Sequence, residues 1–448
     1  GISRHIVVLY KGGIYKLRIV DDDDRLYTLE EWINIFIELF SRENSTISGA
    51  AGMIPALTFD KRSSWANNRK RFFIDIPKNA KALEDIETAM IVISIDAAQD
   101  WNSVGDTAKT LSKFHCAQLT GNGYNRWADK SFNYIIGMNG KFGGTLEHSI
   151  GDGSEFDHIL ENFAMMEHHV VGYPSLEEQI NKEKSFSLQK ACEKGLHLAE
   201  RLEIDVSSEM EAEINRVYTT YCQAKDDVDF ASIVYDNWGK GRIKECGISP
   251  DAFVQMAIQL ANYQDQGKFV LTYEAGSHRF YKNSRTETIR SVTDESCDFV
   301  RSMIDPTIDK SSRISLLKKA AQLHVEHNKE CMVNKGCDRH LFVLYVMSKA
   351  IGITSPFLDH FIQQEWLLST SNLPNVTNME EDVDIGKSWL GGAFAAVAKK
   401  GYGVCYRFAG NHSIVIHVSS YHSAENTDSV RFRSRLVQAL KDMSALFE

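Results

Sequence analysis

A histidine at the end of a predicted strand is the first residue whose setting suits catalysis. His148 follows the run 141–147, and Asp152 comes four residues later. A neutral imidazole can take a proton near neutral pH, as acyl transfer to a hydroxyl or a thiol requires. Asp152 could orient nearby groups or balance a cation. Because a histidine near an aspartate is more often structural, this spacing alone leaves both interpretations open.

The second candidate is a basic segment in front of a predicted helix. Ser249 suits an N-cap, and Pro250 suits the first helical position. A helix start carries partial positive charge, so together with three preceding cations it could bind a phosphate group. The spacing is not that of a Walker loop, and a solvated basic loop is the alternative interpretation. The candidate residues are Gly239, Lys240, Arg242, Lys244, Ser249 and Asp251.

Hydroxyl groups close to arginines form the third candidate. Residues 269–273 are predicted to form a strand that ends at Tyr273, and Thr286 lies between Arg285 and Arg290 farther along. Tyrosine and threonine hydroxyls beside an arginine can hold a carboxylate. The alternative is a strand pair joined by an exposed, salt-bridged turn.

A row of hydroxyl groups at Ser369, Thr370 and Ser371 forms the fourth candidate. Such groups can donate hydrogen bonds to the oxyanion that develops in an acyl-transfer transition state. Serine-rich loops are common, so this run is not specific by itself.

Histidines and cysteines between residues 324 and 340 are possible metal ligands. The spacing of the cysteines, Cys-x5-Cys, is not usual for zinc, and two of the histidines fall in a predicted amphipathic helix. Core or surface roles are therefore favoured, and no metal is predicted. The residues are His324, His327, Cys331, Cys337 and His340.

Strands and helices must position these candidates. Residues 5–20 are predicted to form two strands joined at Gly12–Gly13, followed by an amphipathic helix from Leu29 to Phe40. Asn139–Gly140 marks a tight turn between strands at 132–138 and 141–147, which puts His148 at a strand end. Ser154 suits an N-cap, and helical patterns then cover about 155–168, 178–221 and 428–447.

Composition narrows the class of protein. The 448 residues favour two domains, predicted as 1–206 and 207–448, and the 43% apolar content suits a large core. A net charge of −10 argues against nucleic acid as a partner. Eight cysteines without a Cys-x-x-Cys pair favour a reducing compartment. No long apolar run and no signal peptide stand out, and the initial Gly predicts a fragment or a processed product.

In this order, the motifs resemble the choline/carnitine acyltransferase family over nearly the whole chain. The stretch 285–306 looks most like the carnitine palmitoyltransferases of the outer mitochondrial membrane. The resemblance implies that this chain lacks an N-terminal portion, which in such relatives holds part of the fold and two membrane spans. The motifs are Asn125-Arg126-Trp127, Asp129-Lys130-Ser131, Glu147-His148-Ser149, Ser249-Pro250-Asp251-Ala252-Phe253, Tyr273-Glu274-Ala275, Arg285-Thr286-Glu287-Thr288, Asp338-Arg339-His340-Leu341 and Ser369-Thr370-Ser371.

The resemblance implies roles for individual residues. His148 matches the catalytic base, Asp152 the acid that supports an arginine, and Ser371 the oxyanion donor. The segment Gly239 to Asp251 matches the coenzyme A segment, with Lys240 and Lys244 as its phosphate-binding lysines. Tyr273, Thr286 and Arg339 match residues that bind the carboxylate of carnitine, and Phe394 matches an aromatic residue beside its trimethylammonium group.

One matched position bears on acyl chain length. Gly392 stands where the short-chain relative has a bulky methionine, so the acyl tunnel is expected to be open here. Three departures from the family pattern concern its surroundings and the packing. Ala128 replaces a phenylalanine, Asn372 a glutamine, and Ala395–Ala396 a Gly-Pro pair.

The implied fold is α/β, with two chloramphenicol-acetyltransferase-like domains and an active-site tunnel between them. The implied reaction is reversible transfer of a long fatty acyl group between coenzyme A and L-carnitine, in fatty acid transport for mitochondrial oxidation. Acyl-CoA, CoA and carnitine would be substrates, with no cofactor, and a membrane would be contacted only through the missing N-terminal portion. The alternatives are a weakly active acyl-CoA or malonyl-CoA sensor and a medium- or short-chain carnitine acyltransferase.

Overall fold

The computed structural model describes residues 3–42, 46–96, 107–149, 151–169, 196–278, 280–282, 285–373 and 392–448. The described residues form two compact units. Those within 1–102, 116–150 and 169–226 make up the first unit, and those within 103–115, 151–168 and 227–448 make up the second. The domain bounds given above, 1–206 and 207–448, stay a prediction.

The first unit is built on a mixed six-stranded sheet with the order β5-β4-β3-β1-β2-β6. Strand β3 pairs in parallel with β1 and β4, and the remaining pairs are antiparallel. The strands are β1 His5–Tyr10, β2 Gly13–Arg18, β3 Val92–Asp96, β4 Phe132–Gly137, β5 Phe142–Leu146 and β6 Glu200–Arg201.

Helices and short helical turns complete this unit. Thr28 begins α1 with a capping box that it forms with Glu31, which satisfies backbone N–H groups at the helix start. The buried rings of Trp65, Phe73 and Trp127 meet edge to face in the core. The helices are α1 Leu29–Ser41, α2 Arg62–Arg69, α3 Pro77–Thr88 and α6 Ser208–Asp226, together with the last residues of α4 Thr107–Leu119.

The second unit is built on another mixed six-stranded sheet, with the order β7-β12-β11-β10-β8-β9. Its central strand β10 pairs in parallel with β8 and β11. The run β9-β8-β10-β11-β12 therefore repeats the order and the directions of β2-β1-β3-β4-β5 in the first unit. The strands are β7 Val228–Tyr235, β8 Thr272–Ser277, β9 Thr286–Ile289, β10 Leu368–Asn372, β11 Tyr402–Ala409 and β12 Ser413–Tyr421.

A helix buried on all sides forms the centre of the second unit. Every residue of α8 from Ala252 to Asn262 is buried, since α8 contacts α9, α10 and α13 and shares a core with the sheet. Most of these residues are apolar, as expected of an enclosed helix, and the buried amides Gln255 and Gln259 donate hydrogen bonds to Thr370 and Thr272. The helices of this unit are α5 Gly153–His169, α7 Lys240–Glu245, α8 Pro250–Gln266, α9 Asp294–Ile304, α10 Lys310–Met332, α11 Asp338–Ala350, α12 Pro356–Gln363 and α13 Ser429–Ala445, together with the first turns of α4.

The α/β class and the main elements predicted from sequence are confirmed, with differences at their ends. The first hairpin turns at Lys11–Gly12, and Gly13 already belongs to β2. The strand predicted at 269–273 begins only at Thr272 and continues to Ser277. Of the helix predicted at 178–221, residues 178–195 lie outside the described residues, and residues 196–207 are not helical. There the helical prediction was wrong: Glu200 and Arg201 pair with β2 as strand β6, and α6 begins only at Ser208.

In the part of the chain that the structure describes, every helix is too short or too polar to cross a membrane.

Candidate active site

His148, the predicted general base, follows the last strand of the first unit. The chain continues the β4–β5 hairpin up to Glu147, whose backbone N–H donates to the carbonyl oxygen of Ser131 at 3.1 Å. Beyond it the chain turns, and the N–H of Ser149 donates to the Glu147 carboxylate at 3.1 Å. The His148 side chain is exposed. The hairpin therefore places an accessible imidazole at a strand end, as predicted, and its catalytic role stays a prediction.

The other predicted site residues belong to the second unit, and several share one face of its sheet. Side chains alternate between the two faces of a strand, and directly paired residues point the same way. Tyr273 pairs with Ser369. Ser277 lies four positions after Tyr273 on β8, and therefore on the same face, and it pairs with Thr286. Thr370 points to the opposite face, where its hydroxyl accepts from Gln255 of α8. The site face thus carries Tyr273, Thr286, Ser369 and Ser371.

Arg339 and Thr286 are in direct contact, as a carboxylate-binding pair requires. The Nε of Arg339 donates to the carbonyl oxygen of Thr286 at 2.6 Å, and its Nη2 donates to the Thr286 hydroxyl at 3.0 Å. The arginine side chain remains exposed. One edge of the guanidinium group is therefore fixed by β9, while the group stays accessible to an anion.

Tyr273 lies in an aromatic and cationic stack beside this pair. Its ring meets Trp366 edge to face at 5.7 Å, and the guanidinium of Arg290 lies 5.4 Å from the Trp366 ring centre. Arg290 also forms a bidentate pair with the buried carboxylate of Asp338, at 2.8 and 2.9 Å. This pair raises the pKa of Arg290 above its ordinary value, mainly through the hydrogen bond to Asp338. Since Asp338 precedes Arg339, the pair also ties the start of α11 to the end of β9.

Phe394 lies against the same sheet. Its carbonyl oxygen accepts from the Ser419 hydroxyl at 2.7 Å, and the edge of its ring reaches Gly403 of β11. Gly403 pairs with Ser369, so the aromatic ring lies close to the strand that carries the predicted oxyanion donor. This is a suitable place for an aromatic residue that contacts a ligand cation.

Asp152 pairs with Arg285, which is the kind of partner that the family resemblance implied. One carboxylate oxygen accepts from Nε of Arg285 at 3.0 Å and from Nη2 at 2.9 Å. Asp152 is buried, whereas the arginine is partly exposed. The pair fixes the start of α5 against the strand region before β9.

The predicted coenzyme A segment forms a short helix with a tight approach at its start. A methyl group added at Gly239 would lie 2.5 Å from the backbone nitrogen of Ser413 and 2.7 Å from the carbonyl oxygen of Asn411. Only glycine fits so close to the β11–β12 turn. Lys244 is exposed, and Arg242 pairs with Glu245 at 3.3 Å. Lys244 therefore lies at the surface, while Lys240 and Arg242 are partly exposed.

Ser249 and Asp251 differ from their sequence-based interpretation. Ser249 does take the N-cap position of α8, but within the described structure its side chain makes no capping hydrogen bond. The Asp251 carboxylate accepts from the Tyr406 hydroxyl at 2.6 Å and from the Asn372 amide at 2.8 Å. It faces the interior of the unit, so a direct contact with coenzyme A stays a prediction.

Asp251 belongs to a buried charge network that the sequence did not reveal. The Nε2 atom of His324 lies 3.3 Å from a carboxylate oxygen of Asp251 and 3.3 Å from one of Glu274. Ser291 donates to the same oxygen of Glu274 at 2.9 Å. The network therefore links the start of α8, strand β8 and helix α10 beneath the site face.

The network holds His324 as a cation. Burial by itself would lower the pKa of His324, but the carboxylates of Glu274 and Asp251 outweigh it and raise that pKa to about 10. Burial and the neighbouring Asp251 charge raise the pKa of Glu274. An imidazolium between two carboxylates thus supplies the positive charge that buried acids need.

The same three residues have the spacing of metal ligands. In the described ranges, one ligand atom each from Asp251, Glu274 and His324 lie within 4.8 Å of one another. The sequence suggested other possible ligands for His324 along its own helix and the following loop. In the structure its partners instead come from α8 and β8. The expectation that the protein holds no metal stays a prediction.

Gly392 lies next to a leucine that occupies the space beside it. A methyl group added at Gly392 would lie 2.8 Å from Cδ1 of Leu373, and one added at Gly153 would lie 3.2 Å from Cδ2. Leu373 is buried, directly after β10 and two residues beyond Ser371. Glycine at 392 therefore does not by itself leave an empty pocket there.

Sequence reasoning missed Glu274, Glu287 and Leu373, and it considered His324 only as a possible metal ligand. Glu274 and Glu287 stood inside motifs already noted, and their alternation with Tyr273 and Thr286 along a strand was a signal that they face the interior. His324 and Leu373 gave no comparable signal, because their partners are distant in sequence.

Comparison with known proteins assigns the chain to a family. A family model described as choline/carnitine O-acyltransferase matches residues 2–438. The human liver isoform of carnitine O-palmitoyltransferase 1 is 36% identical over 99% of this chain. Human carnitine O-acetyltransferase is 28% identical, also over 99% of the chain. The alignments cover 56% and 67% of these relatives, so the chain spans about half the length of the palmitoyltransferase.

A solved wax ester synthase/diacylglycerol acyltransferase from Marinobacter aquaeolei is 12% identical, with a TM-score of 0.38 over 79% of each chain. The family match over nearly all of the sequence, together with 36% identity to a curated member, places this chain in the choline/carnitine O-acyltransferase family.

Proposed function

We propose that the complete protein transfers an acyl group reversibly between coenzyme A and L-carnitine. The contact between Arg339 and Thr286 carries the proposal, since it offers an exposed guanidinium group, fixed along one edge, to a carboxylate. Carnitine has a carboxylate, whereas choline has none, so this pair favours carnitine as the acyl acceptor. Tyr273 and Phe394, near the same sheet, would bind the remainder of carnitine.

In the proposed reaction His148 takes the proton from the carnitine hydroxyl. The resulting alkoxide attacks the thioester carbonyl, and the carbonyl π electrons move to oxygen. Ser371 donates a hydrogen bond to that oxyanion. This would lower the activation barrier by about 3 kcal/mol if Ser371 acts like other such donors. When the intermediate collapses, the C–S bond breaks, and the CoA thiolate takes the proton back from His148.

The basic segment would hold the phosphates of coenzyme A. The short helix α7 carries three cations, Lys240, Arg242 and Lys244, at every second position, in a chain whose net charge is −10. A local excess of positive charge in an acidic protein attracts an anionic substrate to one place on its surface. Asp251 would act from the interior, by fixing the start of α8 through Tyr406 and Asn372.

A long-chain acyl group is the proposed substrate, because palmitoyltransferase relatives are more similar to this chain than acetyltransferase relatives are. Each methylene buried in a tunnel would add about 0.8 kcal/mol. One observation favours a shorter chain as the second candidate: Leu373 occupies the space beside Gly392. A series of acetyl-, octanoyl- and palmitoyl-CoA, assayed with the complete protein and carnitine, separates the two.

Replacement of the base tests the reaction itself. His148→Ala in the complete protein should abolish palmitoyl transfer while the circular dichroism spectrum and thermal unfolding stay those of the parent. His158→Ala, an exposed histidine on α5, serves as the matched control. Retained turnover in His148→Ala would remove this residue from the mechanism, and an inactive parent protein would favour a sensor that binds acyl-CoA without turnover.

Arg339→Asn tests the acceptor. It should raise the KM for carnitine far more than the KM for palmitoyl-CoA, because only carnitine presents a carboxylate to the guanidinium group. Equal losses for both substrates would contradict the proposed role.

A further inference from the structure

Glu287 is a buried carboxylate directly next to the carboxylate-binding pair. Its side chain is 1% exposed, and it follows Thr286 on β9. Because successive side chains point to opposite faces, Glu287 points away from the site face that carries Thr286. A buried acid needs partners, and those of Glu287 are backbone N–H groups.

The first partner is the start of helix α11. The backbone N–H of Arg339, the second residue of α11, lies 3.1 Å from Oε1 and 3.4 Å from Oε2 of Glu287. Cys337 occupies the N-cap position, and no described side-chain hydrogen bond from it caps the helix. Glu287 therefore does from a neighbouring strand what a capping side chain would do locally. Its negative charge also faces the positive end of the helix.

The absence of a side chain at Gly336 leaves space for this contact. A methyl group added at Gly336 would lie 2.3 Å from Cγ and 2.7 Å from Oε2 of Glu287. The loop before α11 can thus approach the carboxylate so closely only because residue 336 has no side chain. The N–H of Thr288 donates to Oε1 at 2.8 Å and holds the carboxylate in place from its own strand.

We infer that Glu287 is a positioning residue for carnitine specificity, acting through Arg339. It fixes the backbone of Arg339, while Thr286, one residue earlier, fixes the guanidinium group. Two adjacent residues of one strand, pointing to opposite faces, thereby hold the arginine at both ends. Pre-organisation of this kind lowers the cost of binding, because fewer rotamers are lost when the ligand carboxylate arrives.

This inference rests on the proposed function for its kinetic consequence but not for the contact itself. If Glu287 only stabilised the fold, its loss would weaken all substrates alike. If it positions Arg339, its loss must weaken acceptors that carry a carboxylate more than acceptors that lack one.

The kinetic experiment compares L-carnitine with its amide, in which a neutral carboxamide replaces the carboxylate. In the complete protein, Glu287→Ala should lower the ratio of kcat/KM for carnitine to that for the amide by about tenfold, the scale of a lost helix cap and misplaced ligand contact. Glu287→Gln keeps an oxygen that accepts from the Arg339 N–H, so most of the ratio should be restored. Glu330→Ala, an exposed acid on α10, is the control.

A second variant reaches the same contact from the other side. Gly336→Ala should displace the Glu287 carboxylate and lower the carnitine-to-amide ratio while Glu287 is still present. It also keeps the inference testable if Glu287→Ala fails to fold. In Arg339→Asn protein, neither substitution should change the ratio further, because the group they position is gone.

Hydrogen exchange tests the contact without any turnover. The amide of Arg339, or a peptide covering the start of α11, should exchange faster in Glu287→Ala than in the parent or in Glu330→Ala. Faster exchange with no carnitine activity in the parent would leave the contact supported and the proposed function refuted. Unchanged exchange, or equal losses for carnitine and its amide, would overturn the inference.

Discussion

Arg339 donates two hydrogen bonds to a single residue, Thr286, one to its carbonyl oxygen at 2.6 Å and one to its hydroxyl at 3.0 Å. The two residues are 53 positions apart, and β9 and α11 bring them together. A guanidinium group held this way presents its remaining N–H groups in a fixed direction, which suits bidentate binding of a carboxylate.

The hydroxyl half of this contact can be removed alone. Thr286→Val keeps the shape and the backbone acceptor but loses the hydroxyl, so Arg339 should be held at one point only. A lost hydrogen bond of about 1 kcal/mol predicts a KM for carnitine about fivefold higher. Steady-state kinetics measure this, with the KM for acyl-CoA expected to be unchanged. Thr286→Ser is the matched control, and an equal effect in both variants would contradict the assignment.

Leu373 and Gly392 should control acyl chain length in opposite directions. Leu373→Ala removes the side chain beside Gly392 and should raise the ratio of palmitoyl-CoA to acetyl-CoA turnover. Gly392→Met should lower that ratio by filling the same space. The loss of a buried leucine also costs about 2–5 kcal/mol of unfolding free energy, so thermal unfolding must be recorded alongside the activity. A ratio that neither variant changes would place the acyl group elsewhere.

Gly239→Ala should damage the proposed coenzyme A segment. The added methyl group would meet two backbone atoms of the β11–β12 turn, which cannot rotate away as a side chain can. Overpacking of this kind costs about 1–3 kcal/mol, and the displaced α7 should bind coenzyme A less tightly. Denaturant unfolding and the KM for coenzyme A report the two effects. Asn237→Ala, an exposed position two residues earlier, should change neither quantity.

The network around His324 predicts a pH-dependent stability. The pKa of His324 is raised from 6.5 to about 10, so its contribution is complete below about pH 6.5 and is lost as the pH rises toward 10. The unfolding free energy of the parent minus that of His324→Gln should therefore be positive, about 3 kcal/mol at pH 6, and should shrink by pH 10. Denaturant titrations at several pH values measure the difference. A difference that grows with pH would mean that His324 is neutral in the fold.

His115 should act in the opposite direction at acid pH. Burial lowers its pKa to about 4, and its ring lies 4.0 Å from that of the buried His417, whose pKa burial also lowers. Neutral histidines contribute stability that is complete above pH 6.5 and is lost as the pH falls through 4. His115→Asn should therefore flatten the acid limb of the parent's stability profile, and an unchanged limb would contradict this.

Much of the fold could be predicted from the sequence, because hydrophobic periodicity and turn residues act locally. The α1 helix, the β4–β5 hairpin that leads to His148, the α8 start at Ser249–Pro250 and the final helix were all located this way. Strand ends were less certain: β8 runs to Ser277, since pairing with β9 rather than local propensity sets its length.

The sequence by itself determined the family, the order of the motifs and the residue types available for chemistry, because each of these depends on short runs of neighbouring residues. Only the tertiary structure decided which of them meet. Arg339 contacts Thr286, Glu287 caps the helix that carries Arg339, Asp251 turns inward to His324, and Leu373 fills the space beside Gly392. These contacts join residues from different strands and helices, and a contact between distant positions depends on how the whole unit packs rather than on any local pattern.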